Sequence, residues 1–568
     1  MLQNVGEDRP LLSGSSSSNF SPPVGSHHVG VENHHASNKP PRSSSSSSSA
    51  DEEVGLVSGP IERTIEATVH PESSHLGRHL SWHSAFILVI SRVIGSGIFA
   101  TPGAVVRSAG SIGLSLSIWA AGAVLAACGL GVSLELGCML PRSGGDKVYL
   151  EFIYRHPRFL ASTLVAVNAV LLGFTASNCV VFSEYVLFAL GMDRPSDVLR
   201  KGLAVGLLTA ITVVHGCTPK IGVAVQNVLG WFKVGLVVFM VFAGLFVVIF
   251  NPGQTDTRNG RGDLLDWDNL WKDSDWSWGT IATSLFKVFY SYAGLSNMNN
   301  VLNDVKDPVR TYKSVSMSAL VTALLLYTLV NIAYFIVVPL EEIKNSGELI
   351  AALFFERTFG PNLGRKILPL AVAVSAGGNV MVVTYALARL NQEIARQGFL
   401  PWPELVASTK PFNAPLGGLI VHYIPSLLVI ALPPSNQVYS FILEVEGYPA
   451  QFFSLAVSGG LLWLRYKRPD LKRPFKVWIG AVVLRIVVSL ALVTAPFFPP
   501  EHYTGTIFYA TYALVGVAII LFGVLYWYVW TVLLPRIKGY GLEEETDVLD
   551  DGVAITRLVK VPNRVLNT

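Results

Sequence analysis

Arg92-Val93-Ile94-Gly95-Ser96-Gly97-Ile98-Phe99, with Pro102 close behind, sits inside an apolar stretch near residues 82–108. Two glycines around a serine weaken a helix. In hydrocarbon the backbone groups that such a break frees must find partners within the protein or at a wet cavity. The N–H groups that open the second half-helix are suited to a carboxylate. A glycine-lined packing face is the competing reading of the same residues. A second stretch decides between them. Phe289-Tyr290-Ser291-Tyr292-Ala293-Gly294-Leu295-Ser296-Asn297 crowds small and polar residues into the centre of the sixth apolar segment. Two interruptions at corresponding places predict five-plus-five inverted repeats with a small molecule held between the broken helices.

Composition agrees. Of 568 residues, 51% are apolar and 14% charged, with a mean hydropathy of +0.46. A soluble chain carries about 25% charged residues. A bilayer span needs about 20 mostly apolar residues, and such stretches recur near 82–108, 113–140, 160–190, 199–217, 222–250, 279–302, 314–338, 366–391, 416–432, 437–464, 477–497 and 507–534. The expected fold is therefore an all-α integral membrane protein of about twelve helices. A transporter domain over 81–535 would hold repeats at about 82–250 and 279–464, with two extra helices at 477–534. A net charge of +3 gives no sign of a nucleic-acid surface. Residues 1–80 are polar and Ser-rich and read as a disordered tail without a signal peptide; 536–568 reads as a second polar tail. The bias of Lys and Arg is modest, but its densest cluster, Arg465 to Lys476, places both termini in the cytoplasm. The four cysteines fall in or at the ends of apolar stretches and read as small core residues.

Several intramembrane charges stand out. Lys233, within Gly230-Trp231-Phe232-Lys233-Val234-Gly235, should face the interior of the bundle and is a candidate proton acceptor, with snorkelling as the alternative. Arg92 precedes the first break and is expected to pair with a carboxylate, Asp304 being one candidate. Glu444 and Glu446 lie in the tenth stretch and are candidate gate or charge-pair residues; Glu135 and Lys287 are expected to be paired.

Gly95-Ser96-Gly97-Ile98-Phe99 resembles the first-helix motif of the amino acid–polyamine–organocation superfamily. Further stretches are similar to its L-type amino acid transporter branch: Gln226-Asn227 ahead of Lys233; Asn303-Asp304-Val305-Lys306-Asp307-Pro308-Val309-Arg310; Ala388-Arg389 through Gln397-Gly398-Phe399-Leu400-Pro401; and Trp463-Leu464-Arg465-Tyr466-Lys467-Arg468-Pro469 with Arg473-Pro474-Phe475-Lys476. Within that branch, Arg92, the Tyr-Ser-Tyr-Ala-Gly-Leu-Ser-Asn centre and Glu444-Val445-Glu446-Gly447-Tyr448-Pro449-Ala450 resemble fungal methionine permeases.

The resemblance implies that a substrate α-carboxylate rests on backbone N–H groups around Gly95, Ser96, Gly97 and Ile98. The α-amino group would meet carbonyls of Val93, Tyr290 and Ala293, beside Gly294. Tyr290 would be an aromatic gate, and Leu295 stands where relatives carry Trp, which alters the side-chain pocket. Lys233 would replace a sodium ion, implying sodium independence. The expected activity is secondary active import of a neutral L-amino acid, methionine first, coupled to protons, at the plasma membrane or an internal membrane such as the vacuole. An exchanger and a non-transporting nutrient receptor are the alternatives. The outer loop Gly191 to Leu199 has no cysteine, so no disulfide-linked partner is expected. No P-loop, nucleophile elbow or His-rich cluster suggests an enzyme, and no cofactor or metal is expected.

Overall fold

The computed structural model describes residues 80–192, 195–250, 267–410, 412, 414–433, 438–499, 508–548 and 554–562. The Ser-rich stretch ahead of Leu80 lies outside them. The helices, in chain order, are α1 (Trp82–Val93), α2 (Gly97–Ala109), α3 (Ile112–Met139), α4 (Asp146–Ile153), α5 (Leu160–Leu172), α6 (Ala176–Ala189), α7 (Asp197–Cys217) and α8 (Pro219–Phe250). The chain continues through α9 (Trp278–Tyr292), α10 (Pro308–Val337), α11 (Leu340–Ser346), α12 (Ile350–Asn362), α13 (Leu368–Arg396), α14 (Leu416–Ala431), α15 (Val438–Lys467), α16 (Ile479–Val493) and α17 (Thr511–Trp527).

Nine segments of the described residues are long and apolar enough to cross a membrane, so the chain is a multi-pass membrane protein. Each of the other apolar stretches is helical too. They miss that standard because α9 and α14 are short and α15 mixes polar and small residues, Glu444, Glu446, Gly447, Pro449 and Gln451 among them, into its apolar run. Large apolar side chains cover the outer faces: Phe242 is 66% exposed and Leu521 62%. In water this would be an aggregation surface, whereas in lipid it is the solvated one.

Both interruptions read from the sequence are present. The first helix stops at Val93 and restarts at Gly97, with Ile94 in an extended conformation. The second interrupted helix, α9, stops at Tyr292. Beyond it Ala293 is extended, Gly294 has φ of +105°, and the chain makes two 3₁₀ turns, Asn297–Asn300 and Leu302–Asp304. Gly294 is required twice over. Its positive φ disfavours other residues, and a Cβ there would stand 2.6 Å from Arg92 Cγ.

The stretch 160–190 is long and apolar enough for one membrane span, Leu160–Ala189, built from α5 and α6 with a break at Gly173-Phe174-Thr175. Three expectations need correction. The span between Val338 and Arg365 is not plain loop but contains α11 and α12, the latter burying Ile350, Phe354 and Phe355. The polar tail 536–568 carries structure: among the described residues β1 (Tyr540–Val548) pairs antiparallel with β2 (Ala554–Pro562), a hairpin appended to the helical fold. Leu558 of that hairpin donates its N–H to Gln397 O at 3.2 Å and packs near Phe399. Finally, Cys217 at the end of α7 is exposed, while Cys128, Cys138 and Cys179 are buried; all four are free thiols.

Candidate substrate site at the two helix breaks

The start of α2 leaves its first N–H groups without acceptors inside the helix. Gly97 faces α9 so closely that a Cβ would lie 2.8 Å from Ser291 Oγ and 3.0 Å from its Cα. Glycine there lets the two interrupted helices touch backbone to backbone. Tyr327 of α10 fastens the same junction. Its hydroxyl donates a bifurcated bond to Val93 O (3.0 Å), where α1 ends, and to Ser291 O (2.6 Å), where α9 ends. Val93 O, expected from the sequence to meet an amino group, thus carries Tyr327 on one lone pair. Tyr290 O accepts the N–H of Ala293 at 3.1 Å.

Tyr290 reaches back across the first break. Its hydroxyl shares hydrogen bonds with Ser96 Oγ (3.0 Å) and Ser177 Oγ (2.9 Å), and it accepts from Asn178 Nδ2 (3.3 Å). Asn178 Oδ1 accepts the N–H of Ser96 at 3.4 Å and an N–H of Asn379 at 3.0 Å. Lys233 closes the cluster, donating to Ser91 O (2.6 Å) and to Asn379 Oδ1 (3.2 Å). Only 2% of Lys233 is exposed, so its ammonium points into the bundle rather than snorkelling to the surface. Among the described residues no carboxylate lies within 4.0 Å of it, and its named partners are neutral oxygens.

Ser177, Asn178, Asn379 and Tyr327 were not singled out in the sequence. A signal existed for two of them: Gly173-Phe174-Thr175-Ala176-Ser177-Asn178 is a third run of small and polar residues within an apolar segment. Of the nine residues assigned to substrate from the sequence, Val93, Gly95, Ser96, Gly97 and Ile98 line the first break. Tyr290, Ala293, Gly294 and Leu295 line the second, with Leu295 buried.

The charged residues separate into distinct groups. Glu444 pairs with Lys287 at 3.3 Å, and Lys287 also donates to Ser108 Oγ at 2.7 Å, so this pair ties α15 to α9 and α2. Among the described residues Arg92, expected to pair with a carboxylate, forms no direct ion pair, and Glu446 is the carboxylate that bears on its charge. The side chain of Asp304 lies outside the described residues. Glu135 is wholly buried and is held by Arg465, by Arg473 and by the N–H of Val477 (2.8 Å). The basic stretch from Arg465 to Lys476 thus clamps α3 to the end of α15.

Hydrogen bonds also join the elements at the two ends of the broken helices. At one, Ser143 and Asn303 exchange N–H to side-chain oxygen bonds (3.1 and 3.0 Å), Gly144 N donates to Asn299 O, and Leu80 pairs with Val305. At the other, Arg107 donates to Lys344 O (3.0 Å) and Asn345 O (3.3 Å), and the Tyr185 hydroxyl bridges Phe99 O and Glu348 O.

Two broken helices meeting backbone to backbone inside a membrane bundle, with a buried lysine on the first break, define a carrier of small molecules. Comparison with known proteins gives the family. Residues 80–527 match the amino acid permease family, and the chain belongs to it. It is 33% identical over 494 residues to the low-affinity methionine permease of Saccharomyces cerevisiae, covering 86% of this chain and 88% of that one. The high-affinity methionine permease of the same yeast is 33% identical over 482 residues, covering 84% and 83%. The human b(0,+)-type amino acid transporter 1 is 28% identical over 438 residues, covering 77% and 85%.

Proposed function

We propose that this permease imports neutral L-amino acids, methionine first among them, by alternating access driven by protons. The observation that carries the proposal is the meeting of the two breaks at Gly97 and Ser291, with Lys233 anchored on the first. The opening N–H groups of α2 are the seat for an α-carboxylate. Carbonyls at the end of α9, around Tyr290 and Ala293, are the seat for an α-ammonium. Tyr290 swings between its hydroxyl partners and a position over bound substrate, and Leu295 shapes the side-chain pocket. Resemblance to two methionine permeases supports the choice of methionine.

Lys233 is the coupling residue in this reading. A buried amine held by neutral oxygens is free to exchange its proton without breaking an ion pair. The architecture proposed is twelve membrane helices, with five-helix inverted repeats at about 82–250 and 279–464 and α16 and α17 outside them. Both termini face the cytoplasm, and the plasma membrane is the site of action. The chain works without a disulfide-linked subunit. The separate hydrogen-bond groups at the two ends of the broken helices support an alternating mechanism, since each can open without the other. Arg92, Asp304 and Glu446 are proposed to gate one side.

The test is uptake of labelled methionine by purified protein in liposomes, with and without an inward proton gradient, competed by other amino acids. Gradient-driven accumulation blocked best by methionine is expected. Movement only with amino acid loaded inside would make the protein an exchanger, and binding without flux would make it a receptor.

A further inference from the structure

The buried polar groups between α6, α8 and α13 form a file that ends on the first break. Only one direction of hydrogen bonding satisfies it. While protonated, Lys233 carries donors alone, so Asn379 turns Oδ1 toward it and Nδ2 away. That Nδ2 then donates to Asn178, which must present its own oxygen. The same Asn178 oxygen faces Ser96 N–H, and the Asn178 Nδ2 is left for the Tyr290 hydroxyl. All three side chains are buried: Lys233 is 2% exposed, Asn178 4% and Asn379 5%. Gly95 makes room for the file, because a Cβ there would stand 3.0 Å from Asn379 Nδ2. An ammonium at one end thus fixes that an oxygen, not an amide nitrogen, meets the helix break at the other.

We propose that Asn178 is a stand-in for the substrate carboxylate, aimed by Asn379 and Lys233, and that it lets the carrier cross between its two faces without cargo. The inference rests on the transport reading above. A buried N–H without an acceptor is costly, and Ser96 is wholly buried. With cargo, the carboxylate is its acceptor. Without cargo, Asn178 Oδ1 takes that place, and when a carboxylate arrives the amide oxygen gives way. Asn178 and Asn379 therefore act as positioning residues on the cargo-free half of the cycle and matter much less when both crossings carry substrate.

The experiment compares two modes of flux in liposomes holding wild type, Asn178→Leu or Asn379→Leu. Net uptake is measured into vesicles empty of amino acid, and exchange into vesicles loaded with the same amino acid. For Asn178→Leu, net uptake should fall about tenfold or more, the effect of one buried N–H left without an acceptor, while exchange stays within about threefold of wild type. Asn379→Leu should show the same selective loss, smaller in size, because Asn178 keeps its oxygen but loses the group that aims it. Exchange in the same vesicles reports correct folding, and if Asn178→Leu cannot be recovered Asn379→Leu decides by the same ratio. Equal losses in the two modes, or undiminished net uptake, would overturn the proposal. Wild-type exchange without net uptake would overturn it too while leaving transport intact, whereas no wild-type flux in either mode would remove the transport reading itself.

Discussion

Replacing Gly97 by alanine tests the closest contact in the site. The added Cβ would lie 2.8 Å from Ser291 Oγ and 3.0 Å from Ser291 Cα. Carbon atoms rest at about 3.5–4.0 Å, so α2 and α9 must separate by roughly half an ångström. The serine hydroxyl can rotate away, but its Cα cannot. Separation also pulls on Tyr327, whose one hydroxyl holds both Val93 O and Ser291 O. Overpacking of this kind costs about 1–3 kcal/mol. If the bound state needs the observed spacing, that cost appears as about a 5- to 150-fold weaker dissociation constant. Gly97→Val, with two more methyl groups against the same backbone, should abolish measurable binding. The assay is equilibrium binding of labelled methionine to purified protein, paired with thermal unfolding to separate lost affinity from lost fold. Wild-type affinity in a well-folded Gly97→Ala or Gly97→Val variant would refute the assignment of the first break as the carboxylate seat.

Lys233→Ala should abolish uptake or leave it indifferent to the proton gradient, and uptake in that variant with unchanged pH sensitivity would remove Lys233 from the coupling role. Glu135→Ala strands Arg465, Arg473 and Val477 N–H in a buried site. Losing one member of a buried ion pair costs about 3–5 kcal/mol, so the variant should unfold at a clearly lower temperature in detergent. Leu558→Asp should undock the β1–β2 hairpin from Gln397 and Phe399, seen as faster proteolytic cleavage beyond Lys538 with the helical core intact. Unchanged cleavage would mean that the contact at Leu558 does not hold the hairpin.

The membrane class, the two interrupted helices and the buried lysine can be read from the residues alone. These are local signals: twenty apolar residues cannot be anything but a span in a chain this poor in charge, and Gly-Ser-Gly or Ala-Gly within such a span frees backbone that must be used. Lys233 was legible because an ammonium in an apolar helix has no indifferent place to go. Partners were not legible, because pairing is a property of packing. Asn178 meets Ser96 from 82 residues away and Asn379 from 201, and Arg465 reaches Glu135 across 330. No spacing rule links such positions; only the bundle brings their elements side by side. For the same reason Asn178, Asn379 and Tyr327 read in the chain as ordinary polar residues of apolar helices, and the tertiary structure alone gives them acceptors, donors and a place on the break. The hairpin at 540–562 escaped notice because its first strand, with Glu543, Glu544, Glu545, Thr546 and Asp547, is mostly polar, and it is docking against Gln397 and Phe399, rather than its own pattern of residues, that gives it a face to bury.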